Sequence, residues 1–146
     1  MAAEKRFETK IKNYLHSVGV YPFNTPPDKM IAPPIGYYEK RWGGGQFTKS
    51  GLPDLHITIN TISCDVEVKA VGGKPSELQL FNLQQVNNSG GIGFILIPSK
   101  GVEKVRDYIS KNYPEYSDIK IYDFYKFQKL IKFLRTYEPI GKDVVL

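Results

Sequence analysis

The sequence carries a single cysteine, Cys64, and only two histidines in 146 residues. One cysteine excludes an intrachain disulfide and leaves no cysteine–histidine cluster for zinc. No apolar run approaches the roughly 18 residues that a membrane-spanning helix needs. Residues 1–6 (MAAEKR) lack the apolar stretch of a secretory signal. These absences together point to a reducing, intracellular, cytoplasmic setting with no membrane segment. There is also no internal repeat and no linker long enough to divide the chain, so residues 1–146 read as one domain.

What is present is the composition of an ordinary globular protein, with 41% hydrophobic and 24% charged residues. Lysine and arginine number 20 against 15 aspartates and glutamates, a formal charge of +5. That modest excess fits contact with a polyanion such as nucleic acid without requiring it.

Hydrophobic periodicity sets out the elements. Phe7, Ile11, Leu15 and Val18 recur at helical spacing from Glu4 to Val18, and Gly19 is a stop signal. Between Tyr21 and Pro53 the density of proline and glycine predicts a long loop with few regular elements. Residues 55–59 and 62–69 alternate as two strands. A helix over 76–88, a buried strand over 93–97, a helix over 102–112, a short strand over 119–122 and a helix over 123–137 follow. The order predicts an α/β domain with helices packed on a central mixed sheet.

The two strands meet at Asn60-Thr61. A hairpin with those residues as its loop sets Ile59 against Ile62, Ile57 against Cys64 and Leu55 against Val66, all apolar and on one face. The other face then carries Thr58 opposite Ser63, His56 opposite Asp65, and Asp54 opposite Glu67, with Lys69 two residues further on. Directly opposed carboxylates lie about 5 Å apart at Cβ and repel each other. A lysine relieves them in part, and a hard divalent cation relieves them better. The alternative is a solvated sheet face with scattered charges. Pro53, which ends the glycine-rich stretch beside Asp54, and the helices that follow the hairpin weigh toward a site.

Three stretches, Gly51-Leu52-Pro53-Asp54-Leu55, Val66-Glu67-Val68-Lys69 and Ser76-Glu77-Leu78-Gln79, resemble the PD-(D/E)XK nuclease superfamily. The nearer likeness is to its VRR-NUC group, which includes stand-alone phage enzymes similar to Holliday-junction resolvases. Gly90-Gly91-Ile92-Gly93-Phe94 before the next strand also fits, and the likeness spans about residues 50–98. The resemblance implies a restriction-endonuclease-like fold and Mg²⁺- or Mn²⁺-dependent hydrolysis of DNA phosphodiester bonds, structure-selective for junctions or flaps. It implies a homodimer and a phage-encoded enzyme acting inside a bacterial host. Asp54 and Glu67 would hold the metal with the Val68 carbonyl. Lys69 would orient water or stabilise the transition state, and Gln79 would position them. A capping box with Ser76 is an equal reading of Gln79, and one residue can serve both. Related nucleases place a glutamate of the first helix near the metal. Glu8 and Glu4 are the candidates, and Glu8 is the choice by its distance from Gly19.

Residues 37–49 mix aromatics, bases and glycines, so Lys40, Arg41 and Lys49 are expected nucleic-acid contacts. The alternative there is a hairpin whose aromatics complete the core. His56 reads as the partner of Asp65 rather than a catalytic base, and His16 as a surface residue. Cys64 reads as an inert core thiol. The basic stripe of the last helix reads first as a solvated face that could extend a DNA path. Two other functions compete: a nucleic-acid-binding module that has lost catalysis, and a metal-dependent hydrolase of small molecules.

Overall fold

In the first helix, α1 (Ala3–Ser17), Phe7, Ile11 and Leu15 recur every fourth residue and are buried. It ends at Gly19, whose φ of 84° stops the helical path. These coordinates are a computed structural model that describes residues 2–23, 35–39 and 51–137. Strands β1 (Ile35–Glu39), β2 (Leu55–Ile59) and β3 (Ile62–Val68) follow, then α2 (Glu77–Asn88), β4 (Ile92–Leu96), α3 (Val102–Asn112), β5 (Lys120–Tyr122) and α4 (Phe124–Thr136). Short 3-10 turns at Ser99–Gly101 and Pro114–Tyr116 flank α3.

The five strands lie in sequence order in one mixed sheet. β1, β2 and β3 pair antiparallel, and β3, β4 and β5 pair parallel through the crossovers that contain α2 and α3. The β2–β3 register is the one that the apolar pattern demands: Leu55 with Val66, Ile57 with Cys64 and Ile59 with Ile62. Asn60 and Thr61 both take positive φ, at 50° and 72°, as a two-residue type I′ turn requires. The Asn60 side-chain amide donates to the carbonyls of Leu134 (2.8 Å) and Arg135 (3.1 Å), which ties the hairpin tip to the end of α4.

Among the described residues, β1 is the one strand that the sequence reading missed, since it lies inside the stretch expected to be loop. Its neighbours supply what its own composition hides. Tyr37 pairs with Ile57 on one side. On the other side its carbonyl accepts from the Phe23 N–H (3.1 Å) and its N–H donates to the Tyr21 carbonyl (3.2 Å). Gly36 lies under the Phe23 ring, where a Cβ would come within 2.7 Å of ring carbons.

Each face of the sheet buries its own core. Leu55, Ile57, Cys64, Val66, Phe94 and Leu96 pack with Phe7, Ile11 and Leu15 of α1 and with Phe127, Ile131 and Leu134 of α4. On the opposite face Ile95, Ile97 and Ile121 pack with Leu80 and Leu83 of α2 and with Val105 and Ile109 of α3. The protein is therefore an α/β layered structure, a mixed sheet between two pairs of helices. Among the described residues no helix is long and apolar enough to cross a membrane.

Candidate active site

β2 runs antiparallel to β3, so the start of β2 and the end of β3 meet at one end of the sheet. Asp54 immediately precedes β2, Glu67 and Val68 close β3, and Lys69 follows. The ladder ends at Leu55 opposite Val66, and Asp54 continues that line toward Glu67. Its carboxylate reaches one residue further. Oδ2 accepts the Val68 N–H at 2.8 Å. The N–H and C=O of one strand residue leave on the same side, so the Val68 carbonyl is also turned toward Asp54. The Lys69 N–H leaves on the other side and donates to the Leu96 carbonyl at 3.0 Å, which continues the β3–β4 ladder.

Glu67 is only 2% exposed, the one buried charged residue among the described residues. It pairs in register with Ile95 and faces α2. Burying a carboxylate in such a place is costly unless charge and hydrogen bonds compensate it. Two groups converge on its Oε1. The Gln79 side-chain amide donates at 2.8 Å, and the Lys69 ammonium lies at 3.7 Å. Lys69 is itself largely covered, with 12% of its side chain exposed. Its aliphatic stem runs alongside Gly73, where a Cβ would stand 3.4 Å from Lys69 Cβ and Cδ.

Gln79 forms a capping box with Ser76 and also reaches Glu67. Its backbone N–H donates to Ser76 Oγ (3.1 Å), and its Oε1 accepts from the Ser76 N–H (2.9 Å), a complete capping box for α2. Holding Oε1 in the cap aims the remaining Nε2 at Glu67. The helix start therefore locks the rotamer of the residue that touches the carboxylate.

Two further residues belong to this end of the molecule. Asn82, one turn after Gln79, donates to the Gly51 carbonyl at 2.8 Å. Gly51 has φ of 75°, and a Cβ on it would come within 2.7 Å of Leu78 Cγ. The glycine of the Gly51–Asp54 motif thus lets the chain lie flat on α2 before it turns into Asp54. No signal in the sequence marked Asn82, because its partner is 31 residues away. Gly51→Ala is expected to lower stability by about 1–2 kcal/mol, the cost of a left-handed alanine. Denaturant unfolding beside Asn82→Ala checks it; Gly51→Ala matching the wild type would refute the role.

Of the two glutamates on α1, Glu4 stands in the field of the site. Its pKa is raised, first by burial and then by the negative charge of Asp54, while Lys69 pulls it back down. Glu8 adds to the repulsion on Glu4 and itself pairs with Lys5 at 3.5 Å. A raised carboxylate contributes stability that is present below its ordinary pKa and lost as pH rises through the raised value. In metal-free buffer Glu4→Gln should therefore melt at a higher temperature than wild type at neutral pH, with the gap closing as pH falls below the ordinary value of 4.5. A melting series across that range tests it; a gap that does not change with pH would refute the assignment.

The remaining expectations resolve simply. His56 Nδ1 lies 2.7 Å from Asp65 Oδ1, the cross-strand pair expected. His16 is exposed and its Nε2 meets the Tyr37 hydroxyl at 2.8 Å. Cys64 is buried, and burial pushes its thiol up to about 12, which makes it inert. Lys40, Arg41 and Lys49 lie outside the described residues.

The donor set suits a hard cation. It comprises the carboxylates of Asp54 and Glu67 and the Val68 carbonyl, with Glu4 nearby. No group of three or more histidine, cysteine, aspartate or glutamate side chains gathers tightly among the described residues. Mg²⁺ asks for less, because it keeps several waters and is commonly held by one or two carboxylates plus substrate phosphates. No protein-family model, no curated protein and no solved structure matches this chain.

Proposed function

We propose that this protein is a metal-dependent nuclease of the restriction-endonuclease-like fold, cutting DNA with Asp54, Glu67, Lys69 and Gln79. The observation that carries the reading is the buried Glu67, engaged at one oxygen by both Lys69 and Gln79 beside an Asp54 bonded to the Val68 N–H. A structural ion pair has no need of a second carboxylate at the same strand end, and electrostatics disfavours one there unless a cation is shared.

When bound, Mg²⁺ or Mn²⁺ would lower the pKa of a water and neutralise charge on the phosphate. Asp54, Glu67 and the Val68 carbonyl would hold it. Asp54 keeps capacity for this, since an ionised carboxylate offers about four acceptor sites and the Val68 N–H uses one. Lys69, fixed beside Glu67, would place its ammonium against the attacking water or the charge that develops on the phosphate. Gln79, held by its cap, would keep Glu67 and Lys69 in register. Glu4 would add a carboxylate from α1, and Glu8 is the alternative on that helix. A junction-type substrate presents two strands, so a homodimer belongs to the same proposal.

The test is incubation of the protein with Mg²⁺ or Mn²⁺ and single-stranded, duplex, flap and four-way DNA, beside Glu67→Ala and Lys69→Ala. Metal-dependent cleavage lost in both variants is expected. Cleavage that persists in both refutes the site. Binding without cleavage in the wild type instead makes the chain a nucleic-acid-binding module.

A further inference from the structure

Helix α4 buries Phe127, Ile131 and Leu134 against the sheet. Its outer face is unusual for a solvated helix. Tyr125 is 63% and Phe133 61% exposed, and between and beside them stand the exposed Lys126, Lys129 and Lys132. The Lys129 ammonium lies 4.7 Å from the centre of the Tyr125 ring. Tyr137 continues the line, its ring 5.9 Å from that of Phe133. The helix (FYKFQKLIKFLRT) has no acidic residue, so none of these lysines has a carboxylate partner within it. An ordinary exposed helix carries mixed charges that pair at helical spacing. This one offers rings and cations and no acidic side chain.

The surface continues past the helix. Lys126 also lines a cleft of about 500 Å³ along β5, together with Lys120, Arg106 and Asp118. β5 runs parallel to β4 and β3, so α4 begins at the sheet end that holds Asp54 and Lys69. It finishes at the opposite end, where Asn60 binds its last carbonyls. The stripe is thus a track of about 20 Å along the face opposite α2.

We infer that this face of α4 binds single-stranded nucleic acid, with Tyr125 and Phe133 stacking on unpaired bases and Lys126, Lys129 and Lys132 contacting phosphates. The charge selects a polyanion. The rings select unpaired bases, because in a duplex the base faces are already stacked and exposed aromatics find no partner there. The inference stands on α4 alone and holds whether or not Asp54, Glu67 and Lys69 cleave.

The experiment is fluorescence anisotropy in EDTA, so that cleavage plays no part, with a labelled mixed-sequence single-stranded DNA and the same sequence as a duplex. Tyr125→Ala with Phe133→Ala is expected to weaken single-strand binding at least fivefold and to leave duplex binding nearly unchanged, since stacking contributes about five- to 150-fold per base. Tyr125→Leu with Phe133→Leu, which keeps apolar bulk without rings, should lose the same preference. Lys129→Gln with Lys132→Gln should reduce the salt slope of single-strand binding by about 1.4, at about 0.7 per phosphate contact. Unchanged affinity in all three variants overturns the inference. So does an equal loss for duplex and single strand in the aromatic variants. Two further results also overturn it when DNA binding is unaffected: loss of binding to phosphatidylserine-containing vesicles, and a shift from dimer to monomer in sedimentation.

Discussion

Replacing Glu67 with alanine should reduce metal-dependent DNA cleavage by about 10²- to 10³-fold, and Lys69→Ala by a similar factor. These are the losses expected when one preorganised electrostatic group is removed from a transition state. The two variants should part company in stability. Lys69→Ala leaves the Glu67 carboxylate buried without its cation, and breaking a buried pair from one side costs about 3–5 kcal/mol. Glu67→Gln keeps an oxygen able to accept from Gln79 and leaves Lys69 without its carboxylate, but the Lys69 side chain retains more solvent access than that of Glu67 (12% against 3% exposed), so the variant should lose less stability than Lys69→Ala and still fail to cleave. Gel assays of cleavage beside denaturant unfolding separate the two effects. Full cleavage by Glu67→Gln would sink the assigned metal site, because an amide is a poor ligand for a hard cation.

Phe127→Ala should be among the most destabilising single changes, at about 3–5 kcal/mol. Phe127 is fully buried at the centre of the α4 core. Its ring meets Tyr14 at 6.1 Å, Phe94 at 6.2 Å and Phe124 at 6.5 Å, so one truncation opens contacts to α1, to the sheet and along α4. A domain of this size is typically stable by about 5–15 kcal/mol, so the variant should remain folded at low temperature but melt far below wild type. Urea titration gives the value directly. The site lies on the α2 side of the sheet, so the folded variant should keep the Glu67–Gln79–Lys69 contacts. A loss under 1 kcal/mol would mean that the core repacks around the gap.

How much of this was legible in the chain depends on the range of the interactions concerned. The β2–β3 hairpin was readable because register follows from strict alternation, and one slipped residue would have put Ile57 in place of His56. The capping box was readable because Ser76 and Gln79 are three residues apart. Distance from Gly19 chose Glu8 over Glu4, one helical turn away, whereas the charge of Asp54, brought in from across the structure, acts on Glu4. Asn82 had no local signal at all. β1 was hidden because its proline- and glycine-rich surroundings argue for loop, while its hydrogen bonds come from β2 and from residues 21–23.

The sequence by itself determined the α/β class, the hairpin register and the grouping of Asp54, Glu67 and Lys69 at one strand end, because each follows from periodicity over a few residues. Only the tertiary structure decided that Glu67 is buried rather than solvated, that Lys69 and Gln79 meet at the same oxygen, and that Asp54 binds the Val68 N–H instead of simply facing Glu67. Burial and convergence depend on which helix covers which face of the sheet. That is settled by packing between residues far apart in the chain, which no local pattern records.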